Sequence, residues 1–557
     1  MDTGCGHAGR PAGTADGICP VHTQFLEGVT QLTTLGTDIA GYLKKQGVDV
    51  VFGIPGVHNV ELYRGLEAAG ITHVLARHEQ GAGFMADGYA RATGKPGVAF
   101  VITGPGVTNI MTPMGQAYSD SVPMLVISSC LPPEDDMPGR LHQMRDQVGA
   151  GACVCDWSQL ASDAQRALEL LDRAFAEFKS ERRRPKHMTV PIDVLAGPGW
   201  QGHRAATPKP PVTADVSSDL QALADQLDRS SRPLFIFGGG AKAAWRDGRE
   251  VLERSGGAAF VTYAGRGVID SAHAMNFGPG LARSGSVDVL KRADLVIVVG
   301  SELAEVDIWR SHLGHEATLA RIDIDPDVVA DAHGAQIRIV ARAEDALREL
   351  KGMIAVSTPK WDQDYIREKR AAFRSETDTD RPGIVPFVDA MAGVLPPDIQ
   401  IFSDMTQFAY VAKETYPLSA PGLWHHPYGF GTLGYALPAA VGACLGASGE
   451  PVVAIAGDYG FQYTLQELGV AAELALPLVL VLWDNGRLKE IEDCMVRSQI
   501  RPNAVVAQNP DFSLLAASYG IAYEKADAPD AFAGRLAEAL KRAGPTMIHV
   551  GPAESRH

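Results

Sequence analysis

The sequence lacks any apolar run approaching the roughly 20 residues that a membrane-spanning helix needs. Its longest apolar stretches, such as LALPLVLVLW at 474–483, read as buried strands, so no membrane association is expected. The N-terminal MDTGCGHAGRPAGTADGICPVH lacks the apolar centre of a secretory signal, and a cytoplasmic protein is the expectation. Positive charge is also in short supply. The 50 Lys and Arg face 66 Asp and Glu, and the net charge of −16 argues against nucleic acid as the main partner. It leaves room for one phosphorylated ligand in a local pocket. Cysteine is sparse: seven residues, scattered and odd in number, read as reduced thiols. Cys5, His7, Cys19 and His22 form C-x-H…C-x-x-H, which could hold zinc. The spacing matches no zinc module known to us and the flanks are rich in Gly, Ala and Thr, so a flexible tail over residues 1–32 is expected.

What is present is a globular core. A hydrophobic content of 46% with 21% charged residues fits a folded globular protein, and 557 residues exceed what one core organises. TDIAGYLKKQGVDVVFGIPG, THVLARHEQGAGFMADGYARATG and GVAFVITGPGVTNIMTPMGQAYSD alternate apolar strands, glycine turns and helices. Nearly continuous apolar strands separated by helices indicate a parallel sheet covered on both faces. The block closes near HMTVPIDVLAGP, and the proline-rich GWQGHRAATPKPPVTAD suits a linker. A second α/β block and the charged segment PKWDQDYIREKRAAFRSETDTDRP precede a third. The expected fold class is α/β, with three doubly wound parallel-sheet domains at 33–198, 212–355 and 375–550. The first and third, with polar residues at their strand exits, read as copies of one architecture.

Two strand exits in the third block carry the chemistry. AGDYGF places Asp458 and then Tyr459 and Gly460 before a helix, and LWDNGRLKEI places Asn485, 27 residues after Asp458, beyond the next strand. Ligands of open α/β sheets bind at such carboxyl ends. Mg²⁺ prefers hard oxygen ligands shared with phosphates. Either motif alone reads more readily as a helix cap or a turn.

Together they resemble the thiamine-diphosphate enzyme signature, Gly-Asp-x-Gly followed by Asn-Asn about 27 residues later, with Asp484 in place of the first Asn. The resemblance implies that Asp458, Asn485 and the Arg487 carbonyl hold Mg²⁺ against the cofactor diphosphate, with Tyr459, Gly460 and Leu488 alongside. ARHEQGAGFMADGYAR is similar to the motif whose Glu, here Glu79, bonds N1′ of the aminopyrimidine. That contact favours the imino tautomer at the neighbouring nitrogen, which removes the thiazolium C2 proton. YGFGTLGYALPAAVGA implies a Gly431 carbonyl on the exocyclic amine and a Leu433 wedge that bends the cofactor. FGIPGVHNVELYRGL and ITGPGVTN complete the pyrimidine-binding loops. The chain thus resembles the acetolactate synthase/pyruvate decarboxylase superfamily over roughly residues 35–550, as pyrimidine, central and diphosphate domains. The resemblance implies a homodimer or homotetramer with active sites at subunit interfaces.

In the central block, Gly238, Gly240 and Ala243 form G-x-G-x-x-A after a strand. No acidic residue ends the following strand, and GSELAEVDIWR stands where acetolactate synthases carry FAD contacts, so FAD is not expected. The implied substrate is a small 2-oxo acid, which loses CO₂ and is then protonated or joined to a second carbonyl. Thr103 and Gly104 occupy the place of the histidines of pyruvate-decarboxylase-like enzymes. His58 is a candidate substitute in proton transfer, with His425 and His426 behind it; a polar turn histidine is an equally good reading of His58. The overall pattern looks most like 5-guanidino-2-oxopentanoate (2-ketoarginine) decarboxylases. A guanidinium substrate needs a carboxylate at the far wall, for which Glu490 is the candidate, a solvated helix charge or a proton-transfer group being the alternatives. An acetolactate synthase-like carboligase, and a catalytically silent binding protein on the same fold, are the competing readings.

Overall fold

The computed structural model describes residues 33–551 apart from 133–137, 201–214, 332, 448 and 507. The possible zinc set Cys5, His7, Cys19 and His22 lies outside the described residues. Three six-stranded, all-parallel sheets follow one another along the chain. The first has the spatial order Thr72–Leu75, Val50–Gly53, Gly97–Val101, Met124–Cys130, Lys186–Pro191, Trp157–Leu160. The third runs Trp424–His425, Gln400–Ser403, Val452–Gly457, Leu478–Trp483, Thr546–Val550, Ala522–Ala526. Numbered within each sheet, both read 2-1-3-4-6-5, so the resemblance of the two blocks extends to topology. The middle sheet reads 3-2-1-4-5-6 from its Asn276–Gly278 edge, the order of dinucleotide-binding folds.

The strands are apolar throughout, as in LVLVLW at Leu478–Trp483, because helices cover both faces. Two helices join the first and third domains. Glu79–Thr93 begins where the His78 side chain accepts the Gln80 N–H and stops at Gly94, with φ of 73°. It crosses Ala436–Gly446 at a separation that only glycine allows. A Cβ on Gly88 would fall 1.9 Å from the Ala439 carbonyl oxygen, and one on Gly442 would fall 1.9 Å from that of Met85. Phe84 and Tyr435 meet edge to face at 5.4 Å, and the Tyr435 hydroxyl donates to Asp87 at 2.7 Å. Asp87 is paired with Arg91, and Arg91 with Asp120. The core is therefore continuous from Phe52 in the first domain to Phe402 in the third. Among the described residues, no helix is long and apolar enough to cross a membrane.

Candidate active site

In the third sheet the chain changes direction between the adjacent strands Gln400–Ser403 and Val452–Gly457, the kind of switch point at which ligands bind. Gly457 pairs in register with Trp483, so Asp458 and Asp484 leave their strands side by side. One amide bridges them. Asn509 Nδ2 donates to Asp458 Oδ2 at 2.7 Å and to Asp484 Oδ1 at 2.9 Å. Burial pushes the Asp458 carboxyl up to about 6; the Asn509 hydrogen bond opposes this and the Asp484 charge adds to it. Against its own burial, Asp484 is held below the usual carboxylate range by the hydrogen bond and charge of His549, 2.9 Å away. Asn485 follows at once. Its Nδ2 donates to Gln407 Oε1 at 3.4 Å, and its Oδ1 accepts the Arg487 N–H at 3.2 Å. Leu488 is tied by its N–H to the Val505 carbonyl at 2.8 Å.

Asp404, at the exit of Gln400–Ser403, fixes the neighbouring glycine loop. Its Oδ2 accepts the Gly434 N–H at 2.8 Å and its Oδ1 accepts the Met405 N–H at the same distance. Burial pushes its carboxyl up to about 7 against those backbone donors. Gly431 has φ of 67°, which a residue with a side chain adopts only under strain. A Cβ on Gly460 would lie 3.0 Å from Asp404 Oδ2 and 3.4 Å from Leu433 Cδ2, so Leu433 and Gly460 pack closely. Tyr459 lies beside Tyr463, with ring centroids 6.0 Å apart.

The first sheet presents Glu79 at the exit of its own second strand, as the first residue of a helix. The carboxylate is buried and accepts from Asn109 Nδ2 at 2.9 Å. His58, at the exit of Val50–Gly53, meets His142, beyond Met124–Cys130, with ring centroids 4.9 Å apart. Neither Nδ1 has a hydrogen-bond partner among the described residues. Burial, His142 and Arg140 together make the His58 imidazole harder to protonate. Thr103 is bound to the Ser129 hydroxyl at 2.9 Å. His425 and His426 are buried, and burial holds both well below the usual histidine range.

Two copies of one sheet topology, each offering polar groups at its switch point, match in order the models for the N-terminal thiamine pyrophosphate (TPP) binding domain of TPP enzymes at 33–150, their central domain at 220–350 and their C-terminal TPP binding domain at 404–550. The chain belongs to the thiamine pyrophosphate enzymes. It is 41% identical to the probable 2-ketoarginine decarboxylase AruI of Pseudomonas aeruginosa over 549 residues, 96% of this chain and 97% of that protein. It is 29% identical to the acetolactate synthase isozyme 3 large subunit of Escherichia coli, over 89% of this chain and 90% of that one. The isozyme 1 large subunit is also 29% identical, with 92% of each chain covered.

In this thiamine pyrophosphate enzyme Glu490 differs from the bare carboxylate expected. It is gripped by Arg381 Nε and Nη2 at 2.7 and 3.0 Å and accepts from Gln407 Nε2 at 3.0 Å. Asn509, Asp404, Gln407, Arg381 and His142 were not singled out from sequence. Asp404 and Asn509 carry the signal that marked Asp458, a small polar residue after a strand or before a helix cap, but no pairing distance points to them. In the central domain a Cβ on Gly238 would fall 2.1 Å from the Gly300 carbonyl oxygen, so the packing of two strand exits already demands that glycine. Thr262 follows the neighbouring strand, Ala258–Val261, where a ribose-binding carboxylate would stand.

Proposed function

We propose that this enzyme decarboxylates a 2-oxo acid to an aldehyde and CO₂, with 5-guanidino-2-oxopentanoate as its substrate and Mg²⁺ as its metal. The observation that carries the reading is full-length likeness at 41% to a probable 2-ketoarginine decarboxylase, against 29% to acetolactate synthases. The polar groups of the third domain suit the bound group. Buried Asp458 and half-buried Asp484 crowd two carboxylates together with one amide between them, which a divalent cation relieves. Among the described residues, no three His, Cys, Asp or Glu gather as a cage. The metal then relies on Asp458, the Asn485 side-chain oxygen, the Arg487 carbonyl and the cofactor's phosphates, the usual habit of Mg²⁺.

When bound, thiamine diphosphate supplies the carbon that attacks the oxo group and stores the electron pair left by CO₂. The protein's own work is positioning and proton control. Glu79, held by Asn109, exchanges a proton with the aminopyrimidine nitrogen. The Gly431 carbonyl and Leu433 would hold the cofactor's rings, and Tyr459, Gly460 and Leu488 would line its diphosphate end. His58, beside His142 and with no Nδ1 hydrogen-bond partner among the described residues, is the candidate for proton transfer to the product. The active form is a homodimer or homotetramer in the cytoplasm. Exposed Val57, Val60 and Leu141 near His58, and Ile491, Val496 and Ile500 around the Glu490 helix, are the apolar faces a second copy would cover.

The test is a panel of 2-oxo acids incubated with thiamine diphosphate and Mg²⁺, reading CO₂ and organic product together. The guanidino acid is expected to give one aldehyde per CO₂. A five-carbon hydroxy-oxo acid from pyruvate alone would establish the carboligase reading instead.

A further inference from the structure

Arg381 caps the end of the helix Gln363–Asp380, and Glu490 is the second residue of Lys489–Arg497. Their contact joins two segments far apart in sequence, side on and bidentate, the geometry in which a guanidinium and a carboxylate fit best. Two more groups converge on the pair. Gln407 Nε2 donates to Glu490 Oε1 at 3.0 Å, and the Arg381 guanidinium carbon lies 5.2 Å from the centre of the Tyr410 ring. A carboxylate, a carboxamide that orients it and an aromatic face make a complete recognition set for a planar cation. The set adjoins the candidate active site, because Gln407 Oε1, at the other end of the same amide, accepts the Asn485 Nδ2–H at 3.4 Å.

We infer that Glu490, Gln407 and Tyr410 form a guanidinium seat, and that Arg381 is its resident occupant, exchanging places with the guanidinium of the substrate. This rests on the guanidino 2-oxo acid proposed above. The elements carrying the pair permit the exchange. The Lys489–Arg497 helix buries none of its residues, and the two side chains remain 20% and 31% exposed. The carboxylates of Asp380 and Glu414, paired with Arg283, already act on Arg381 through their charge.

Exchange also explains selectivity. Swapping one guanidinium for another leaves the Glu490 carboxylate paired before and after. A neutral aliphatic tail that displaced Arg381 would leave a partly buried carboxylate with no cation, and removing one partner of a bidentate pair strands the other's charge. An ammonium tail would neutralise Glu490 but lose the two-pronged fit. The seat therefore admits a planar cationic fork and stays closed to other tails.

The experiment measures binding to the holoenzyme by calorimetry, with 4-guanidinobutanoate, 5-aminopentanoate and hexanoate as unreactive probes. Arg381→Met is expected to bind the guanidino acid about tenfold more tightly than wild type, and Glu490→Gln about tenfold more weakly or worse. The other two acids should change little with Glu490→Gln. If Arg381→Met folds poorly, Arg381→Lys, which keeps the charge without the fork, should also bind the guanidino acid more tightly than wild type. Unchanged or weaker guanidino binding on replacing Arg381 would overturn the inference and make Arg381 a brace for Glu490. The two proposals fail separately. Turnover of the guanidino 2-oxo acid that Glu490→Gln leaves intact removes the seat and keeps the reaction; tight guanidino binding without turnover does the reverse.

Discussion

The Glu467 carboxylate accepts the Arg77 backbone N–H with both oxygens, at 3.2 and 3.1 Å, although 390 residues separate them. Its Oε1 also takes the His78 N–H at 3.0 Å, so a third-domain carboxyl holds the strand exit that carries Glu79. Glu467 is fully buried, and burial raises its pKa from 4.5 to about 7 against those donors. The native state then keeps a proton that the unfolded chain has lost between those two values. Stability from this group is highest below the lower value and falls as pH rises through the window, by on the order of 3 kcal/mol in all. Glu467→Gln should flatten the decline of Tm of the cofactor-free protein between about pH 5 and 8. Asp404 and Asp307, both pushed up to about 7 by burial, keep part of the slope. Identical slopes in wild type and variant would mean that Glu467 is ionised in the native protein.

Glu79→Gln tests proton exchange apart from cofactor binding. The amide preserves the shape and a partner for Asn109, 2.9 Å from the carboxylate, but cannot pass a proton. The expected outcome is a kcat lower by about 10²–10⁴ with nearly unchanged thiamine diphosphate affinity. Hydrogen–deuterium exchange at the cofactor's C2, followed by NMR, should slow in parallel. Exchange at the wild-type rate would remove Glu79 from this role.

Asn509→Ala removes the only amide that touches both Asp458 and Asp484 among the described residues. Asn509 is fixed in turn by Gln462 Nε2, 3.0 Å from its carbonyl oxygen. Without it the two carboxylates repel more freely and Asp458 loses its aim. Losing such a supporting contact typically weakens metal affinity by about 10–100-fold. The half-saturating Mg²⁺ concentration should rise by that order, with kcat recovered at saturating metal. Stripping Mg²⁺ with a chelator should lower the Tm of the wild-type holoenzyme towards that of the cofactor-free form. An unchanged Mg²⁺ requirement in Asn509→Ala would show that Asn509 does not support the metal ligands.

The sheets and strand exits were legible because they depend on local pattern. Strands such as LVLVLW carry their burial in composition, and Asp458 and Asn485 stand at a fixed separation set by one strand and one helix. What could not be read was which distant residues meet. Asn509 follows Asp458 by 51 residues, and Arg381 precedes Glu490 by 109. No periodicity links them, since each contact is closed by sheet order and by packing between segments. Glu490 was singled out from its place after Asn485, yet its partner was invisible. The bare charge read from sequence is in the structure one half of a bidentate ion pair with Arg381.

The helix crossing offers the sharpest stability test. A methyl group on Gly88 would lie 1.9 Å from the Ala439 carbonyl oxygen, and backbone cannot step aside as a flexible side chain does. Gly88→Ala must therefore push the Glu79–Thr93 helix away from Ala436–Gly446, disturbing the Phe84–Tyr435 contact and the Asp87 hydrogen bond with it. Overpacking of this kind costs about 1–3 kcal/mol or more. Gly41 is the control. It lies within the helix Leu35–Lys45, and a methyl there meets nothing within 4 Å. Gly41→Ala should stabilise by about 0.5–1 kcal/mol, because alanine loses less backbone freedom on folding. Thermal unfolding of both variants, side by side, should move Tm in opposite directions. A Gly88→Ala protein as stable as wild type would mean that the two helices are not packed as closely as their glycines imply.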